Sequence, residues 1–196
     1  MKSFTDCSSF KRSIRCIINF LNTSKRRGIL FNIQEENEEK VLHLISPISI
    51  RWTSFYNSVE RVLSRYSSIV QALNRIHKDD GDPGAKGFEL YLKEYHTVKT
   101  LTIVKDLFSK LNILELYLQR ADLSINNAFE MIHTTTEQIK TSFTTGLETE
   151  TLKLATEFET SRTFQGIGLT DIPDRENFNI EQDITSTIAS YKDVLL

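Results

Sequence analysis

An all-α fold is the class this sequence predicts, and three observations carry the prediction. Seven glycines and three prolines in 196 residues are too few for a sandwich of short strands, which needs a turn signal about every eight to twelve residues. Apolar residues recur at helical offsets of three and four along almost the whole chain. Hydrophobic residues at 39% and charged residues at 26% are ordinary for a globular protein, and a chain of this length buries a core without disulfide or metal staples. Cys7 and Cys16 lack the partners of a zinc site or a disulfide framework, which points to a reducing, intracellular setting.

Taken in order, Phe10, Ile14, Ile17, Ile18 and Leu21 form the stripe of a first amphipathic helix, and Ser24 is placed to cap a shorter second one. An acidic loop through Glu35, Glu36, Glu38 and Glu39 follows, and Pro47 pushes Ser46 out of helical geometry. A long helix is predicted near 54–77 on the spacing of Val59, Val62, Leu63, Tyr66, Ile69, Val70, Leu73 and Ile76. It stops at the turn Asp79-Asp80-Gly81-Asp82-Pro83-Gly84.

A continuous helical signal then runs from Phe88 to Leu118, with a kink predicted at Thr97 to Thr102, where β-branched residues lower helix propensity. Its half near 97–119 is expected to pack on the helix near 54–77 as the centre of the fold. Asp122 and Ser124 are candidate caps of a helix bearing Ile125, Ala128, Phe129, Ile132, Ile139 and Phe143, and Gly146 ends it or starts the next. Residues 147–160 read as a more acidic helix, and 163–180, with Gly166, Gly168 and Pro173, as the loosest region. A short helix from Glu181 runs out still apolar at Val194, Leu195 and Leu196, as though the sequence were cut. The expected division is 1–45, N-terminal helices and acidic loop; 46–162, a helical domain; and 163–196, a loosely ordered C-terminal segment with a short helix.

Charge is unevenly spread. Residues 1–30 hold seven Lys or Arg against one Asp, and 148–196 hold four against ten acids, within a net charge of −2. The apolar run Cys16 to Leu21 is too short for a secretory signal. The stretch Leu101 to Leu118 is interrupted by Lys105, Asp106, Lys110 and Glu115, so no membrane span is expected. Counting an EF-hand from Asp79 puts Gly81 and Pro83 where oxygen ligands belong and Leu90 where the bidentate Glu belongs, which favours a helix-breaking turn. His43, His77, His96 and His133 are dispersed, and no phosphate-binding glycine loop, nucleophile elbow or H-E-x-x-H is present. No metal, cofactor or small-molecule substrate is expected.

One segment is more specific than periodicity. Ile48-Ser49-Ile50-Arg51-Trp52-Thr53-Ser54-Phe55-Tyr56-Asn57-Ser58-Val59 is similar to the TRW-S-R-AV signature that opens the helical insertion domain of hAT-superfamily DNA transposases and their zinc finger MYM-type relatives. Ser24-Lys25-Arg26-Arg27 resembles the S–R helix start that precedes the signature, and Ile69-Val70-Gln71-Ala72-Leu73 falls where the family reads IV-AL. Gly84-Ala85-Lys86-Gly87, Phe108 to Leu114, Tyr117-Leu118-Gln119 and Asp122-Leu123-Ser124 follow in the family's order. The resemblance covers residues 17–165; Ile50 stands where the family has Thr.

The resemblance implies a multi-helix array without a complete ribonuclease-H-like core. In the family that core supplies two aspartates upstream of the insertion and a glutamate downstream, holding two divalent metals for strand transfer. Those positions would lie before Met1 and beyond Leu196, along with the family's dimerisation segment. The chain is therefore expected to be a catalytically inactive fragment or domesticated derivative, or a partial gene model, nuclear in location, acting by weak DNA contacts, a protein partner or self-association. The resemblance also implies that Trp52 stacks on a displaced base with Arg51 on phosphate. The residues alone equally allow Trp52 to anchor a helix start in the core, and a helical scaffold or adaptor with no nucleic-acid role is the alternative function.

Overall fold

The computed structural model describes residues 3–47, 52–145, 149–170 and 179–195, and within them the protein is helical apart from one small hairpin. Helix α1 (Ser3–Leu21) buries Phe10, Ile14, Ile17, Ile18 and Leu21, the stripe its spacing predicts. Helix α2 (Ser24–Glu36) follows after a two-residue break. The fully buried Gln34 amide accepts from Leu42 N–H at 2.7 Å and donates to Leu42 C=O at 3.2 Å. Glu35 and Glu36, expected in the acidic loop, instead close α2, and that pairing folds the segment after Asn37 back over the helix and satisfies a polar group that burial would otherwise penalise.

The helix expected near 54–77 is two helices, α3 (Trp52–Ser64) and α4 (Tyr66–Asp80), divided at Arg65 (φ −128°, ψ 22°). No glycine or proline marks the break, and its cause is tertiary. Helix α3 packs along α6 (Tyr95–Leu118), whereas α4 packs between α2 and α5 (Pro83–Lys93), directions one straight rod cannot serve. Arg65 holds the junction by donating to the Ser64 and Lys40 carbonyls at 2.6 and 2.9 Å.

The turn after α4 does what its residues predict. Gly81 takes the left-handed conformation (φ 65°) that caps α4. Asp82 caps α5 by accepting from Gly84 and Ala85 N–H at 2.8 and 3.2 Å, with Pro83 in the first turn.

The break expected at Thr97 to Thr102 falls instead at Glu94 (φ −64°, ψ 127°), between α5 and α6. There the backbone exchanges bonds with Thr170: Tyr95 N–H donates to Thr170 C=O at 3.0 Å, and Thr170 N–H donates to Lys93 C=O at 2.8 Å. The threonines stay helical because they are buried and their hydroxyls are satisfied inside the helix, Thr100 on His96 C=O and Thr102 on Lys99 C=O, both at 2.9 Å.

Helix α7 (Ile125–Thr145) turns back along α6, and α8 (Thr149–Ser161) also packs on α6, between Tyr95 and Asp106. Asp106 of α6 caps α8 from outside, accepting from Thr151 N–H and Oγ1 at 3.0 and 3.1 Å and from Glu150 N–H at 3.1 Å. Burial pushes the Asp106 carboxyl up against the downward pull of those donors. Gly146, expected to end α7 or start the next helix, lies outside the described residues.

The stretch expected to be loosest begins with an antiparallel hairpin, β1 (Thr163–Phe164) and β2 (Ile167–Gly168), and returns α9 (Ile180–Leu195) to the body. Phe164 is wholly buried against Tyr66 at 5.3 Å, and Leu169, Ile180, Ile184 and Ile188 join the same core. Phe164 and Leu169 thus belong to the core, and α9 covers the span expected for the last helix. Pro173 lies outside the described residues.

Candidate nucleic-acid interface

With Phe10, Ile14, Ile17, Ile18 and Leu21 facing the core, the opposite face of α1 presents Arg12, Arg15, Cys16 and Asn19, all exposed. The other side of the helix, with Lys11 at its edge, packs against the first turns of α3. The Phe10 ring meets Phe55 edge-on at 6.4 Å, the Lys11 ammonium sits 5.4 Å from the centre of the Phe55 ring, and Phe55 meets Phe108 of α6 at 5.9 Å. Thr53 donates to the Glu115 carboxylate of α6 and fixes the start of α3.

Of the two residues singled out by the resemblance, Arg51 lies outside the described residues. Trp52 contributes the first backbone position of α3, three residues before Phe55, and its side chain lies outside the described residues. The fold therefore packs Phe10 and Lys11 of α1 on Phe55, one turn into the end of α3 that opens at Trp52. That helix end adds partial positive charge, and no acid of α3 itself stands in its first turn, where the Glu115 carboxylate of α6 meets Thr53.

Other cations of the basic N-terminal block are spent within the fold. Lys25 pairs with Asp80 at 2.7 Å and Arg26 with Asp82 at 2.8 Å, tying α2 to the turn after α4, and the Arg26 guanidinium stacks 3.7 Å from the Phe20 ring. Desolvation raises the Asp82 carboxyl, but the Ala85 and Gly84 N–H groups and Arg26 outweigh it and hold the group below its ordinary range. Arg75 pairs with Glu36 at 2.8 Å. Such solvent-facing pairs add little to stability; their consequence is that these cations answer to carboxylates.

Among the described residues no three His, Cys, Asp or Glu side chains gather where a metal ion would be held. Two open surface clefts, of about 430 and 530 Å³, are lined by opposed charges. Glu60, Glu150 and Glu157 face Lys105 and Lys153 in the first, and Asp79 and Glu89 face Arg75, Lys78 and Lys93 in the second. Glu89, though buried, accepts from Lys86 at 2.9 Å and Asn74 at 3.3 Å; burial raises its carboxyl, and these donors bring it below its ordinary range. Lys99, also buried, meets Asp183 of α9 at 2.8 Å, and Tyr95 Oη donates to the same carboxylate at 3.0 Å. Both buried groups are matched within the fold and act as ties between helices. No helix of the described residues is long and apolar enough to cross a membrane.

One surface escaped the sequence reading. The spacing marks the apolar stripe of α7 without saying what covers it: Ile139 is buried, while Ile132, Phe129 and Ile125 on the same face are exposed. The spacing gives the stripe; where its cover runs out depends on how far the neighbouring helices extend, which no local pattern encodes. No family model, curated protein or solved structure matches the chain.

Proposed function

We propose that this chain is a catalytically inactive helical domain derived from a hAT-type transposase, nuclear, and acting through contacts with DNA. The observation that carries the reading is the packing of Phe10 and Lys11 of α1 on Phe55, one turn into the α3 end that opens at Trp52, with Arg12 and Arg15 exposed on the same α1 helix. A cationic helix face next to a helix N-terminus and an aromatic residue is suited to the backbone of a single strand, with base stacking as the second contribution. Few cations take part, so binding is weak at physiological salt.

Fluorescence anisotropy with a labelled single-stranded oligonucleotide tests this. The expected result is binding at about 50 mM salt that falls at least tenfold by about 200 mM. The Arg12→Glu/Arg15→Glu variant, altered only at exposed positions, should lose most of it with an unchanged melting temperature. Binding unaffected by the double variant, or none at low salt, counts against the reading. A helical adaptor with no nucleic-acid role is the second reading, and the uncovered stripe of α7 favours it.

A further inference from the structure

The α6–α7 hairpin ends in an apolar face that no described residue covers. Ile125 is 72% exposed, Phe129 66% and Ile132 41%, and Leu118, at the same end of the hairpin, is 39% exposed. We propose that this face is the contact surface of a two-fold homodimer in which α7 packs antiparallel on α7 of a second copy, with Phe129 at the axis.

Four features select a second copy as the occupant. The stripe continues, through Thr136, the face that buries Ile139 in the core, so the same helix surface that one part of the fold covers is left bare beyond it. Its spacing is close to palindromic: one isoleucine precedes Phe129 by four residues and another follows by three. Antiparallel copies therefore set Ile125 against Ile132 of the partner copy, with the two Phe129 rings together, as a self-complementary two-fold contact requires. The positions along the stripe, Ile125, Phe129, Ile132 and Thr136, carry no charge, so no like charges meet across the axis.

The area also fits. Taking about 200 Å² for a fully exposed large apolar residue, the four exposed side chains present roughly 400 Å². That lies within the range of the largest apolar patch on a monomer, about 300–600 Å², a patch that is often functional. It also matches the roughly 57% non-polar share of the ~800 Å² that each partner contributes to a stable complex. This inference rests on α7 and the end of α6 and is independent of any transposase ancestry.

Sedimentation velocity of the full chain from about 1 to 100 μM, a range that brackets micromolar association, tests it. The expected result is a concentration-dependent shift from one copy to two. Phe129→Glu and Phe129→Lys each place like charges at the axis and should weaken association at least 30-fold, with unchanged circular dichroism because Phe129 is exposed. Mixing the two variants should restore a dimer, since opposite charges then meet there. Ile125→Glu, at the most exposed position, gives the first readout by an independent route. A wild-type chain that stays monomeric throughout overturns the proposal, whether its stripe binds a hydrophobic dye or is covered by the chain's own residues. Dimers that persist undiminished in Phe129→Glu and Ile125→Glu overturn it too.

Discussion

Phe164→Ala should destabilise the protein by about 3–5 kcal/mol, the loss typical of emptying a fully buried phenylalanine site, read as a fall in the urea midpoint at unchanged slope. Phe164 sits at the first strand of a two-residue hairpin, yet its ring is inaccessible to solvent and packs against the equally buried Tyr66. Tyr66 in turn donates from its hydroxyl to the Leu92 carbonyl at 2.8 Å, and burial pushes its phenol well above the usual tyrosine range. One ring thus joins the hairpin, α4 and the end of α5. A loss under ~1 kcal/mol would mean that the hairpin is a surface ornament and that the core closes without it.

Asp183→Ala should cost about 3–5 kcal/mol, because it strips the partner from a buried cation. The Lys99 side chain is 6% exposed against 28% for Asp183, so the lysine is the group left without compensation. Burial, and next the Asp183 carboxylate, push the Tyr95 phenol upward, which keeps it protonated as the second donor to that carboxylate. Because this cluster ties α9 to the start of α6, amide exchange in α9 should rise more than exchange in α3. Lys99→Met combined with Asp183→Leu should recover much of the stability, since a well-packed apolar pair commonly replaces a buried ion pair at little cost. Equal losses in the single and combined variants would show that packing rather than charge holds α9.

The elements that the sequence discloses are those whose cause is local. The α1 stripe is the 3.6-residue period itself, and the turn at Gly81-Asp82-Pro83 follows from a left-handed cap, an Asp cap and a first-turn proline. The breaks at Arg65 and Glu94 have no such signature. One answers to α3 and α4 packing on different partners, the other to a backbone pairing with Thr170, seventy-six residues on. The threonines near 100 mislead for the same reason: low intrinsic propensity is overridden once burial and hydroxyl bonds to the preceding turn are in place. At the candidate interface, the basic character of residues 1–30 is legible. Which cations stay available is not, because Asp80 and Asp82, which engage Lys25 and Arg26, stand more than fifty residues away.

Trp52 is the single tryptophan of the chain, so its emission reports on the proposed interface alone. The most direct measurement is a fluorescence titration of the full chain with unlabelled single-stranded DNA at low and at physiological salt. The account predicts saturable quenching at low salt, a large loss of affinity at physiological salt, and near abolition in Arg12→Glu/Arg15→Glu. Emission untouched by DNA at low salt, together with failure of iodide to quench, would contradict it and assign Trp52 to the core.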